Sequence, residues 1–203
     1  MKNLISTLFL LGAGLSGAYL LSTHPVLSVP ADEARPASDR EKAAQPPTEL
    51  ATFGMGCFWG AEAKFCNIEG VVRTRVGYAG GHTKNPGYSS VSSGRSGHAE
   101  VVQVEYDPAL VSYPELLEVF WRGHDPTTRN RQGPDLGPQY RSLILFDSPE
   151  QEAAAKASVE ELSRSMRFWN PVVTEIQPLT EFYPAEEYHQ RYLEKHGRAR
   201  CRN

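Results

Sequence analysis

The chain has little cysteine and no excess of positive charge. Three Cys in 203 residues are too few for a disulfide framework, which needs a short chain dense in paired cysteines, so these residues serve chemistry or stand there by chance. Lys and Arg total 21 against 24 Asp and Glu, a formal net charge of −3, so no basic field exists to hold nucleic acid or an anionic membrane surface. His82, His98, His124 and His189 show no metal-ligand spacing with the cysteines. They read as solvated side chains, and no metal or other cofactor is expected.

What is present begins with an uncharged apolar run behind Lys2, LISTLFLLGAGLSGAYLL at residues 4–21. The pattern is that of a secretory signal over residues 1–31, with Val29 and Ala31 at the small-residue positions of a cleavage site. Its length also leaves an uncleaved membrane anchor open. Residues 32–48 combine seven charged residues and three prolines with no apolar side chain larger than Ala, and so are expected to be a disordered, solvated linker. A single domain over residues 49–197 follows, then a basic tail, residues 198–203, carrying Cys201.

Within the domain, apolar periodicity predicts a buried strand at residues 51–55. A helix follows it, with Phe58, Ala61 and Phe65 on its apolar stripe and Glu62 and Lys64 off it. Residues 71–78 read as a strand, and residues 80–97, rich in Gly, Ser and Asn-Pro-Gly, as a long loop, a type that is usually functional or disordered. The alternating AEVVQVEY at residues 99–106 puts Glu100 on an apolar strand face. Ser112 and Glu115 form a capping-box pattern for the next helix, and Ser148-Pro149 opens another with Ala155, Val159, Leu162 and Met166 on one stripe. Strands at residues 140–146, apolar on both faces, and 172–176, and a helix at about residues 185–196, complete the series. This order predicts an α+β domain, a ferredoxin-like βαββαβ core with a mixed sheet, additional helices and long loops.

Cys57, in GCFWG, lies where a strand passes into a helix. Free backbone N–H groups and the helix dipole there are expected to stabilise a thiolate and lower the thiol below its usual pKa of about 8.5. Phe58 and Trp59 beside the sulfur suit an apolar pocket. A buried structural Cys among core aromatics is the alternative. Glu100, desolvated on its strand, is expected to keep its proton near neutral pH and so to act as an acid facing the thiol; a salt bridge to Arg73 or Arg75 is the other reading.

GMGCFWGAEA, GYAGG, NPGY, SGHAEVVQVEYDP, FWRGHDPTT, RQGPDLGPQYRS and FYPAEEYHQRYL together resemble the A-type peptide methionine sulfoxide reductases, over about residues 50 to 196. The resemblance implies thiol-dependent reduction of methionine S-sulfoxide, free or in proteins. Cys57 matches the nucleophile and Glu100 the acid that protonates the departing oxygen. Phe58 and Trp59 match the pocket for the S-methyl group, Tyr88 and Tyr140 the phenols that hydrogen-bond the sulfoxide oxygen, and Asp135 a carboxylate that places substrate or water.

The sulfenic acid left on Cys57 needs a second thiol. Cys66 lies nine residues along the same helix, about 13 Å away and beyond the roughly 7 Å reach of a disulfide; it reads as a packed small apolar residue outside the family pattern. Cys201, on a tail expected to be mobile after Gly197 and flanked by Arg198, Arg200 and Arg202, is the expected resolving thiol. Its disulfide with Cys57 would be reduced by a thioredoxin-like partner. The tail lacks the glycine-rich segment with paired cysteines of many relatives. A thiol peroxidase and an inactive methionine-peptide binder are the competing readings; Phe58 and Trp59 count against the first, intact Cys57, Glu100, Tyr88 and Tyr140 against the second. An exported monomer in a bacterial periplasm or envelope is expected, on the membrane only if residues 4–21 remain as an anchor.

Overall fold

The structure is a computed structural model, and it describes residues 47–165 and 169–202. The apolar run, nearly all of the charged linker and Met166 lie outside the described residues. The elements are β1 (Glu49–Met55), α1 (Phe58–Phe65), β2 (Val71–Ala79), α2 (Tyr88–Ser92), β3 (Ala99–Tyr106), α3 (Tyr113–Gly123), β4 (Arg131–Gln132), β5 (Asp135–Leu136), a 3₁₀ turn (Pro138–Tyr140), β6 (Ser142–Phe146), α4 (Pro149–Arg164), β7 (Glu175–Pro178), β8 (Phe182–Pro184) and α5 (Tyr192–Lys195).

The main sheet has the order β7-β6-β1-β3-β2-β8. β1 runs antiparallel to both β3 and β6, and β3 antiparallel to β2, so β1 and β2 point the same way with β3 between them. That is the split βαβ arrangement expected of a ferredoxin-like core. β7 adds parallel to β6 and β8 antiparallel to β2, making the sheet mixed.

Local signals in the sequence account for most of the elements. The Ser112 hydroxyl accepts the Glu115 N–H while the Glu115 carboxylate accepts the Ser112 N–H, completing the capping box of α3. α4 starts on Ser148, whose hydroxyl accepts the Gln151 N–H, with Pro149 in the first turn. Helices α1, α3 and α4 share one core with the sheet, built around Phe53, which stacks on Phe65 at 5.2 Å and on Phe120 at 5.3 Å. Each such fully buried side chain contributes about 1.5–3 kcal/mol. β6 is apolar on both faces because Ile144 enters this core while Leu143 and Leu145 join a second cluster with Ala79, Ala99 and Val101.

Five expectations change. The long loop contains the short helix α2, and the strand expected at residues 172–176 runs as β7. The strand expected from residue 140 starts at Ser142, Tyr140 closing the 3₁₀ turn. The helix expected at residues 185–196 is reduced to α5, because Arg191 adopts a left-handed conformation (φ 51°) and the preceding residues form turns whose side chains reach into the protein. Glu62, expected off the apolar stripe of α1, is buried; it accepts bonds from the Thr74 hydroxyl at 3.1 Å and the Arg191 N–H at 2.7 Å.

Candidate active site

Gly56 turns the chain from β1 into α1 with φ +93°, and a Cβ at this position would lie 2.6 Å from the Gln132 side chain. Glycine here sets Cys57 as the N-cap of α1. Cys57 is a free, half-buried thiol. On β3, Glu100 is 2% exposed, and its Oε2 accepts the Phe58 N–H at 3.0 Å. The same backbone bond orients the carboxyl and places it beside the sulfur. Arg73 pairs instead with Glu105 at 2.7 Å and Arg75 bonds Gln103, so the salt-bridge reading of Glu100 does not hold.

Burial pushes Glu100 up to about 7; the Phe58 N–H opposes this and Asp135 adds to it. Cys57 departs from expectation. Burial first, and then the charge of Glu100, push its thiol up to about 11, and the Trp59 and Gly60 N–H groups only partly offset them. The helix start supplies the expected donors, but desolvation and a neighbouring carboxylate outweigh them. The pair is coupled: protonating Glu100 removes the repulsion that holds the thiol up.

Tyr88, at the start of α2, and Tyr140 face the same space. Burial raises both phenols, with Glu100 the next cause, and Tyr140 reaches about 12. Both therefore remain O–H donors at neutral pH. Asp135, on β5, raises Cys57, Glu100, Tyr88 and Tyr140 alike. The structure thus brings together Cys57, Phe58, Glu100, Tyr88, Asp135 and Tyr140, drawn from the starts of two helices, two strands and a 3₁₀ turn.

Phe58 is buried with Tyr78, and Trp59 stays half-buried beside Cys57. The indole N–H of Trp59 donates to Nδ1 of His189 at 3.1 Å, and the Tyr192 ring stacks on Trp59 at 3.8 Å. His189 is 2% exposed and lies among Phe58, Trp59 and Tyr88. Because Nδ1 accepts, its proton sits on Nε2, which lies 4.0 Å from Glu186 Oε2. Glu186 accepts the Tyr78 hydroxyl at 2.8 Å and the Tyr88 N–H at 2.9 Å, fixing the start of α2. Sequence reasoning missed Tyr78, Glu186, His189 and Tyr192. It read His189 as solvated, and His98, likewise buried, bonds the Gly81 N–H and the Thr83 carbonyl. Glu186, His189 and Tyr192 lie together in FYPAEEYHQRYL, most of which was read as a helix, and Tyr78 lies in GYAGG; these stretches were the sequence signal.

Cys201 does not lie at Cys57. It is bonded to Cys66, with a Cα–Cα distance of 5.0 Å. The reading of Cys66 as a packed spectator is therefore corrected. Its separation along α1 excludes pairing with Cys57 but not with a thiol that arrives from the tail.

A family model described as peptide methionine sulfoxide reductase matches residues 49–203. The chain belongs to the peptide methionine sulfoxide reductase family. It is 58% identical over 154 residues to the peptide methionine sulfoxide reductase of Methanoculleus marisnigri, covering 76% of this chain and 94% of that one. Among solved structures, Mxr1 of Saccharomyces cerevisiae in its reduced form matches with a TM-score of 0.70 at 38% identity, covering 76% of this chain and 88% of that one. Mxr1 in complex with Trx2 matches with a TM-score of 0.51 at 28% identity, over 74% and 91%. Among the described residues, no group of three His, Cys, Asp or Glu side chains in this reductase is placed to hold a metal ion.

Proposed function

We propose that the protein reduces methionine S-sulfoxide, in proteins and free, with Cys57 as nucleophile. The S-methyl group packs on Phe58 and Trp59, and the sulfoxide oxygen accepts hydrogen bonds from Tyr88 and Tyr140. Protonated Glu100 gives its proton to that oxygen as the Cys57 thiolate attacks the sulfoxide sulfur; the S–O bond to methionine breaks, the hydroxyl passes to the Cys57 sulfur to make a sulfenic acid, and methionine leaves as the thioether. Protonation of Glu100 does double duty, since it supplies the acid and lifts the repulsion that disfavours the thiolate. Asp135 helps place the substrate or a water. Cys201 resolves the sulfenic acid, and a thioredoxin-like dithiol reduces the product; the likeness to the Mxr1–Trx2 complex supports that recycling.

What carries this reading is the placement of a free thiol against a buried carboxyl held near its neutral form and two protonated phenols. The test is consumption of separated S and R epimers of a methionine sulfoxide peptide with dithiothreitol. Only the S epimer should be consumed, and Cys57→Ser should be inactive. Consumption of hydrogen peroxide with neither epimer touched would hand the site to a peroxidase reading. Residues 1–31 are proposed as an export signal or anchor and the protein as a monomer of the bacterial envelope; the mass of the mature chain from an envelope fraction, and its size in solution, test these.

A further inference from the structure

The two phenols assigned to the sulfoxide oxygen stand on separate pieces of backbone. Tyr88 opens α2, and Tyr140 closes the 3₁₀ turn Pro138–Tyr140. Two O–H donors converge on one oxygen only while both lie within about 2.5–3.0 Å of it. A displacement of either element by about 1 Å therefore loses a donor. Of the two, α2 is the better anchored: the Glu186 carboxylate accepts the Tyr88 N–H at 2.9 Å, and Val91 is buried in the cluster with Phe58 and Tyr78.

The turn is held on both flanks of Tyr140. On one side the buried Arg141 donates to the Pro138 carbonyl at 2.9 Å, to the Gly80 carbonyl at 3.1 Å and to the carboxylate of Glu175, which opens β7, at 3.1 Å. On the other side Gln139 is 5% exposed, and its Nε2 donates at 3.2 Å to the carbonyl of Ser92, the last residue of α2. That bond satisfies a helix-end carbonyl and ties the turn of one phenol to the helix of the other. Glycine clears the space for the amide. A Cβ at Gly137 (φ +134°) would lie 2.8 Å from the Gln139 Nε2 and collide with its Oε1, and one at Gly94 (φ +73°) would lie 3.6 Å from that oxygen.

We propose that Gln139 is a positioning residue whose amide pins the Tyr140 turn to α2 and so sets the separation at which the two phenols meet the sulfoxide oxygen. This deepens the reading above and rests on it. Among the described residues, Oε1 of Gln139 is buried with no hydrogen-bond partner. A buried amide that leaves one atom bare is a poor choice for stability alone, since an apolar side chain of similar size would fill the same slot without that penalty. The N–H is what an apolar side chain lacks. The same side chain also lowers the Tyr140 phenol, against burial, Glu100, Tyr88 and Asp135, which raise it. A donor offered to the phenol oxygen has this sign, and it leaves the phenol's own hydrogen for another acceptor.

The test is single-turnover formation of methionine, with the pre-reduced protein in excess over a methionine S-sulfoxide peptide, so that recycling of the thiols does not enter. Wild type, Gln139→Met, Tyr140→Phe and the double variant are compared. Met is close to Gln in size and cannot donate. Gln139→Met should lower the rate at saturation about 10-fold and change the half-saturating concentration less than about 2-fold, because the Phe58 and Trp59 surface is untouched. Its Tm should stay within about 3 °C of wild type, the lost bond being offset by removal of the bare oxygen. In Tyr140→Phe the same substitution should lower the rate by no more than about 2-fold further, since the donor that Gln139 places is gone.

A Gln139→Met protein that forms methionine at the wild-type rate overturns the proposal and leaves the reductase reading in place. Losses that multiply in the double variant overturn it as well, because Gln139 would then act on the fold at large and not through Tyr140. Where Gln139→Met does not fold, Gln139→Glu decides. A neutral carboxyl donates to the Ser92 carbonyl as the amide does and a carboxylate cannot, so the rate relative to wild type should fall as pH rises from about 5 to about 9. A relative rate that is flat across that range overturns the proposal. A wild type that forms no methionine overturns the reductase reading and the proposal with it.

Discussion

The two ends of α1 hold the same side chain in different chemical surroundings. At the N-terminal end, Cys57 is free and half-buried, met by the Trp59 and Gly60 N–H groups and by Glu100 and Asp135. At the C-terminal end, Cys66 lies fully buried, bonded to Cys201. The helix dipole favours a negative charge at the first end and disfavours one at the second. Even so, the favoured end holds its thiol protonated, because desolvation and an adjacent carboxylate exceed what a few N–H donors supply. A helix terminus alone therefore does not make a reactive cysteine. The partners brought by other elements decide.

The sharpest way to break the comparison is to change the carboxyl that distinguishes the Cys57 end. Glu100→Gln should lower kcat/KM by about 10²- to 10⁴-fold, the usual worth of a positioned acid. It should at the same time move the Cys57 titration, followed by thiolate absorbance, below the wild-type position of about 11, since the Glu100 charge is gone. A lower rate with an unmoved thiol titration would sever the coupling between the two groups.

The same carboxyl bears on stability, with a sign opposite to that of His124. Glu100 is raised from 4.5 to about 7 in the fold, so the native state binds the proton more tightly. Stability should fall as pH rises from 4.5 to 7, by up to about 3 kcal/mol, and Glu100→Gln should flatten that fall. His124 bonds the Phe120 carbonyl and the Ser142 hydroxyl, and burial depresses it from 6.5 to about 4. Its contribution is present above pH 6.5 and lost as pH falls towards 4. Urea titrations of wild type, Glu100→Gln and His124→Gln across pH 4 to 8 separate the two; equal slopes in all three would refute both assignments.

At the Cys66 end, the bond closes a loop across a sequence separation of 135. Reducing it should cost about 2–4 kcal/mol of stability, read as a lower Tm in the reduced protein and no redox dependence of Tm in Cys201→Ser, where the two remaining cysteines stand at opposite ends of α1 and cannot pair. A Tm indifferent to redox state in the wild type would mean that the tail adds nothing to the folded state. The smallest expected effect concerns the Trp59 wall. His189→Phe removes an acceptor worth about 1 kcal/mol, so KM should rise about 5-fold with kcat little changed. His189→Gln should restore part of the loss, and indole fluorescence should report the change. A drop in kcat alone would place His189 elsewhere in the mechanism.

Much of this protein was legible before folding was considered. The Ser112–Glu115 box and the Ser148-Pro149 start were readable because caps act within one turn of the helix they begin. Glu100 was readable as buried because strand alternation sets its face. The motifs around Cys57, Tyr88, Asp135 and Tyr140 pointed to the site. The helix expected near residue 185 failed because Glu186, His189 and Gln190 spend their side chains on Tyr78, Tyr88, Trp59 and the backbone of Val76, contacts that turns can make and a regular helix would not.

By itself, then, the sequence determined the split βαβ order, the capped helices, the family and the site residues named from its motifs, all of which follow from short-range patterns. Tertiary structure alone decided the protonation of Cys57, the burial of His189 behind Trp59 and the pairing of Cys66 with Cys201. A pKa depends on which charges and how much water surround a group. A disulfide depends on where two distant stretches of chain come to rest. Neither is a property of residues adjacent in sequence.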